Sequence, residues 1–311
     1  MPAPISNLRA KVLSGSMIML VSSGLVGFLN LLYNLGIAHV LGAGSFGQAS
    51  AVYTVLMLLS SVHLSFQLLC SKFVARADSL PEKIAIYRSL HRRAWIYGLG
   101  AGLALFLSRS VISNYLNLPT LNYIIMLAVA TVFFIPLGVR RGLMQGLYDF
   151  RYLATNFVLE GIVKVGGAFL CMYLGWGVSG VIAAVVISIV LAYIFSRPHP
   201  DLMHDAGSHL SVPAAVGEGV QASLFFVGQV IINNLDIILV KHFFPATEAG
   251  VYAAVALVGR VVYMLSWSVV SSMFPFSAGV RSEERDGRAV LGTGLTLVIL
   301  ISGLFTMAVW G

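Results

Sequence analysis

Apolar runs recur along the whole chain, and the polar connections between them are no longer than loops. A helix needs roughly 20 apolar residues to cross the hydrocarbon core of a bilayer. That rule predicts about nine spanning helices, over 12–40, 46–71, 94–112, 120–139, 153–174, 177–196, 213–243, 247–280 and 290–310. Pro119 and Pro213 stand where a first-turn proline is tolerated, whereas Pro136 and Pro275 fall inside spans and predict a kink or an end there. The span 247–280 would be about 50 Å long at helical rise, so it must tilt, bend or project from the membrane.

Composition turns this pattern into a class. Apolar residues make up 58% of the 311 and charged residues 10%, against about 45–50% and about 25% in a soluble domain. The chain reads as an all-α polytopic membrane protein with no soluble catalytic domain between its spans. A formal charge of +7 would suggest nucleic acid in a soluble protein, but here its distribution sets orientation. With the N-terminus cytoplasmic, fifteen lysines and arginines face the cytoplasm, and Arg109 and Lys241 face the other side. Arg140 and Arg141 are counted in a basic turn on that cytoplasmic face. No cleavable signal peptide is evident, and the expected location is a bacterial-type cytoplasmic (inner) membrane. Cys70 and Cys171 fall at helix ends on opposite faces, which argues against a disulfide between them.

Two polar connections carry residues with possible further chemistry. In 78–93, Ile84, Tyr87 and Leu90 recur three apart beneath basic residues, which suits a short helix lying on the anionic leaflet. Residues 197–212 hold His199, Asp201, His204, Asp205 and His209, but their spacing matches no metal template. That segment reads as a cytoplasmic linker between an N-lobe of six helices (1–196) and a partial C-lobe of three (213–311). No cofactor or metal is expected.

A repeat supports the division. Displaced by 203 residues, 30–55 aligns with 233–258 at eight identities, among them Asn30/Asn233, His39/His242, Ala43/Ala246 and Gly47/Gly250. Six helices lie between the copies, so both run in the same direction and the repeat is parallel, with its pseudo-axis along the membrane normal.

The stretch from Arg140 to Gly180 carries the charges that a bilayer penalises. Glu160 and Lys164 sit near the middle of a span, and at i,i+4 they share one helix face. A charge at the hydrocarbon centre costs roughly 3 kcal/mol on insertion scales, so it faces a partner or a water-filled cavity. Either the two neutralise each other and aid packing, or their face lines a pathway. Arg260 lies thirteen residues into its span, with Tyr263 and Trp267 following at i+3 and i+7. Asp236 and Glu218 are further carboxylates in apolar surroundings and candidates for proton or sodium coupling. Glycines at four-residue spacing, Gly138, Gly142 and Gly146, and the set Gly98, Gly100 and Gly102 are read as close helix contacts. An enzyme acting on nucleotide sugars would need paired carboxylates or an acid/base residue on a substantial loop; no Asp-x-Asp is present, and the protein is not expected to be an enzyme.

The segments LSGSMIMLVSSGLVGFLNLLYNLGIAHVLGAGSFGQASAVYTV, RRGLMQGLYDFRYLATNFVLEGIVKVGG and DIILVKHFFPATEAGVYAAVALVGRVV resemble the polysaccharide-transporter branch of the multidrug/oligosaccharidyl-lipid/polysaccharide exporter superfamily. These are the O-antigen and related lipid-linked oligosaccharide flippases. The resemblance implies a V-shaped pair of six-helix bundles around a central cavity that moves an undecaprenyl-pyrophosphate-linked sugar across the membrane. It implies membrane lipids as surroundings and no nucleic-acid partner. Members have twelve to fourteen helices, so three of six would stand in this second lobe. Either Arg260 is held in a structural salt bridge, or on this reading it lines the cavity and grips the pyrophosphate, with Lys164 adding a second positive charge from the other lobe and Glu160 setting its position; Tyr263 and Trp267 either pack between helices or stack on sugar rings. The alternative within the superfamily is a cation-coupled multidrug exporter, for which cavity carboxylates would be favoured.

Overall fold

The computed structural model describes residues 5–198, 216–257 and 259, with helical positions at 296, 299, 300, 303 and 307. Among them no strand occurs. The helices are α1 (Ile5–Arg76), α2 (Leu80–Leu107), α3 (Arg109–Tyr115), α4 (Asn122–Gly146), α5 (Phe150–Tyr173), α6 (Gly177–Phe195), α7 (Val216–Phe243) and α8 (Ala246–Leu257). Five described helices are long and apolar enough to cross a membrane, or six if the bent pair α2 and α3 forms one span. The expected spans 247–280 and 290–310 lie largely outside the described residues. The chain divides into two compact units, 1–253 and 254–311.

α1 is two helices in one run. Gly42 has φ 74 and ψ 168, a conformation outside the helical region that glycine adopts without a Cβ penalty. Tyr33 and Tyr53 would stand about 30 Å apart on a straight helix, yet their ring centroids are 6.3 Å apart. The chain therefore folds back at Gly42 into a hairpin of α1a (5–41) and α1b (43–76).

α2 corrects one expectation. The 78–93 segment is not a separate helix on the leaflet; it is the first part of a helix continuous to Leu107. Ser79 caps its start by accepting from the Glu82 N–H at 3.4 Å, Glu82 accepts from the Asp78 N–H at 3.2 Å, and Pro81 fits the first turn. Nothing between Leu80 and Leu107 breaks a helix. Its apolar face packs inward, where Ile86, Tyr87, Leu90 and Ala94 meet Cys70 and Val74 of α1b and Ile135, Val139 and Leu143 of α4.

α4 also departs from its expected bounds. The helix runs through Pro136 and on to Gly146, so Arg140 and Arg141 lie inside it and not in a basic turn. Its continuation follows from the glycines. A Cβ on Gly138 would overlap the His63 carbonyl, one on Gly142 would stand 2.5 Å from the Gln67 carbonyl, and one on Gly146 would stand 2.7 Å from Val74 Cβ. Three turns of α4 thus lie directly on the backbone of α1b, and that contact carries the helix past Pro136. Proline leaves the carbonyl four residues back, Val132, without its helical donor. Gly98 of α2 covers it: a Cβ there would lie 2.7 Å from that oxygen, so only a Cα–H can approach.

The repeat positions touch one another. A Cβ on Gly250 would overlap the Ala43 carbonyl, one on Gly47 would lie 2.7 Å from the Ala246 carbonyl, and one on Gly44 would lie 3.7 Å from Thr247 Oγ1. Ala43 and Ala246 are equivalent, as are Gly44 and Thr247 and Gly47 and Gly250, so the contact is reciprocal, the signature of a local two-fold relation. α7 is anchored beside it. Ile238 packs with Ala51 and Leu116, and the His242 ring stacks on Tyr115 at 3.9 Å.

Candidate functional site

The charges of the first bundle meet where α4 and α5 adjoin. Asp149 caps α5 by accepting from the Tyr152 N–H at 3.2 Å, which sets the helix phase. Glu160 then lies about 15 Å and Lys164 about 21 Å along its axis from Phe150. Successive residues of a helix point about 100° apart, so the two arginines of α4 diverge. Arg140 turns towards α6, where its Nη1 donates to the Tyr193 carbonyl. Arg141 turns towards α5.

Arg141 is buried, and among the described residues its hydrogen-bond, ion-pair and ring partners are on α5. Its Nε donates to Asn156 Oδ1 at 2.8 Å, its Nη2 forms an ion pair with Glu160, and its guanidinium stacks on Phe157 at 4.2 Å. Asn156 is itself fixed, donating to the Ala192 carbonyl of α6 at 2.8 Å. His63 of α1b bonds the Phe134 carbonyl at 2.6 Å and stacks on the Phe134 ring. The charge-assisted bonds of Arg141 are of the strong kind.

This arrangement corrects the expectation that Glu160 positions Lys164. The carboxylate is held by Arg141, and the Lys164 ammonium donates to Asn30 Oδ1 of α1a. The rings of Tyr33 and Tyr53 flank it, with centroids 4.9 and 5.2 Å from Nζ. Both are within cation–π reach. Lys164 is 6% exposed and Tyr33 5%. Two close helix contacts hold α1a here: a Cβ on Gly161 would lie 2.9 Å from Leu29 Cδ1, and one on Gly36 would overlap the Phe169 ring. Around Glu160, among the described residues, two cations, Arg141 and Lys164, therefore stand against one carboxylate.

Other expected site residues fall apart from this constellation. Asp236 of α7 accepts from the Tyr252 hydroxyl of α8 at 3.1 Å, and its other oxygen is buried without a hydrogen-bond partner. Glu218 falls within α7, but its side chain lies outside the described residues, as do Arg260, Tyr263 and Trp267 and the 199–209 histidines and aspartates. The structure adds Asn30, Tyr33, Tyr53, Arg141 and Asn156 to the constellation. Asn30 alone had a signal, its match to Asn233 in the repeat.

The family described as polysaccharide biosynthesis protein matches residues 37–309. The chain belongs to that family. No curated protein matches it. Among solved structures, an inward-facing multidrug resistance MATE family transporter of the MOP superfamily is similar at 14% identity and a TM-score of 0.67, over 96% of this chain and 72% of that one. The outward-facing form of a multidrug resistance MATE family transporter gives 15%, 0.62, 95% and 70%. A MOP superfamily transporter from Pyrococcus furiosus, described by a reversed polarity of its binding pocket, gives 15%, 0.59, 96% and 70%. These likenesses establish a MATE-like fold for this member of the polysaccharide biosynthesis family, a multi-pass membrane protein.

Proposed function

We propose that the protein translocates a lipid-linked oligosaccharide whose pyrophosphate is drawn across the membrane by cations of the bundle interior. The observation that carries this reading is Lys164. Its ammonium is bonded to a neutral amide and flanked by two aromatic faces, while the adjacent carboxylate is held by Arg141. An anionic headgroup cannot cross about 30 Å of hydrocarbon unpaired. A lysine hydrogen-bonded to a neutral amide can exchange Asn30 for a phosphate oxygen, and Glu160, which feels its charge, keeps Arg141 as its ion-pair partner. The family match, to a polysaccharide biosynthesis protein, supports a saccharide cargo. Arg260 remains the proposed second cation, and the cytoplasmic membrane with a cytoplasmic N-terminus the proposed setting.

A second reading, cation-coupled export of drugs, is favoured by one observation. Asp236 keeps a buried carboxylate oxygen without a partner beside Tyr252, as a proton or sodium site would need. The test is to reconstitute the protein in liposomes and follow two cargos, an undecaprenyl-pyrophosphate-linked oligosaccharide and a cationic dye. Translocation of the first alone supports the proposal. Movement of the dye alone, driven by a proton or sodium gradient, establishes the second reading in its place.

A further inference from the structure

A second basic site lies on the other side of α4. Between α2, α4 and the end of α6 is a cavity of about 530 Å³, lined by Tyr87, Arg88, His91, Arg92, Trp95, Arg140, Arg197 and Pro198. Its size falls within the roughly 300–1,000 Å³ of ligand sites. Four of its lining residues are arginines, and among the described residues that line it none is acidic.

Arg140 forms the inner wall. It is 9% exposed, its guanidinium lies 3.6 Å over the Tyr193 ring, and its Nη1 donates to the Tyr193 carbonyl, yet its buried Nε has no hydrogen-bond partner. A buried guanidinium donor left unbonded is costly. Around it the rings are fixed: His91 Nε2 is 3.1 Å from the Tyr193 hydroxyl, His91 stacks on Tyr87 at 5.1 Å, and Trp95 meets Tyr193 edge-on at 5.6 Å. Arg92 and Arg197 are exposed at the mouth. A rigid aromatic wall, an inner arginine with a spare donor and the exposed Arg92 and Arg197 at the mouth make an oxyanion receptor. Guanidinium forks match phosphate oxygens in pairs.

We infer that this cavity binds a phosphate group, presented either by an anionic lipid headgroup or by a soluble pyrophosphate, separately from the Lys164 site. The inference does not rest on the transport reading, because binding is measured without turnover. The full chain, purified in detergent, is titrated with inorganic pyrophosphate while its tryptophan emission is followed, since Trp95 lines the cavity. The same protein is then placed in nanodiscs of phosphatidylcholine with increasing phosphatidylglycerol. Saturable binding of either probe is expected, weakened about tenfold or more when Arg92→Gln and Arg197→Gln are combined, as loss of charge-assisted bonds implies. Arg140→Gln should abolish it. Arg93→Gln, an exposed arginine of α2 outside the cavity, should leave it unchanged. Pyrophosphate that competes with the lipid identifies the phosphate group as what is read, and binding of the lipid alone assigns the site to a headgroup. The mouth variants, on the surface, keep the test valid should Arg140→Gln not fold. Absence of saturable binding to both probes, or an equal loss in Arg93→Gln, overturns the inference.

Discussion

Glu160 shows how one side chain can be read correctly as costly and still be given the wrong partner. Its i,i+4 neighbour is a cation, but a guanidinium with five donors outcompetes an ammonium for a carboxylate when both are within reach. Arg141 also gains Asn156 and the Phe157 face in the same geometry. Removing the carboxylate should therefore leave a buried arginine charge behind. Glu160→Gln is expected to lower stability by roughly 3–5 kcal/mol, and the double change Glu160→Gln with Arg141→Met should recover a good part of it. Thermal unfolding of the detergent-solubilised variants checks this; equal loss in single and double variants would contradict the pair. The cost of these charges was legible in the sequence because it follows from span length alone. Their pairing was not, since Arg141 at the apparent edge of a hydropathic run reads as a loop residue, and only the packing of α4 on α1b draws it inside. Asn30, a neutral amide, leaves no trace in a charge pattern.

At the scale of elements, glycine spacing was the most informative signal. Gly138, Gly142 and Gly146 recur every four residues, and each meets the α1b backbone or a Cβ, because small residues are what close membrane helix contacts require. Gly98, Gly100 and Gly102 have the same look but divide by face. Gly98 and Gly102 lie against α4, whereas a Cβ on Gly100 meets nothing within 4 Å. Gly98→Ala should thus cost about 1–3 kcal/mol through overpacking at the Val132 carbonyl. Gly100→Ala should be neutral or stabilising by up to about 1 kcal/mol from helix propensity. Unfolding midpoints of the two variants measure the contrast, and matching losses would mean that α2 does not pack as described. The continuous α2 was hidden for a related reason. Its first half is amphipathic and basic, a pattern shared by a leaflet-bound helix and by one whose apolar face is covered by neighbouring helices; tertiary packing decides between them.

For the whole molecule, the reciprocal contacts of Ala43, Gly44 and Gly47 with Ala246, Thr247 and Gly250 join the two copies of the repeat. A disulfide between Gly44→Cys and Thr247→Cys should form readily, since the two positions face each other across the contact. If the copies must rock against one another during transport, oxidation should stop translocation and reduction restore it. Unchanged translocation in the fully cross-linked protein would show that this contact does not move. The fold itself, shared with MATE structures at 14–16% identity, leaves cargo to be settled by chemistry at the site. The most direct measurement is translocation per folded molecule, in reconstituted liposomes, of a pyrophosphate-linked oligosaccharide by Lys164→Met and Lys164→Arg. The account predicts that the methionine variant folds and reaches the membrane in normal amount but translocates at least tenfold more slowly, with partial recovery in the arginine variant. A methionine variant that translocates at the wild-type rate per molecule would contradict it.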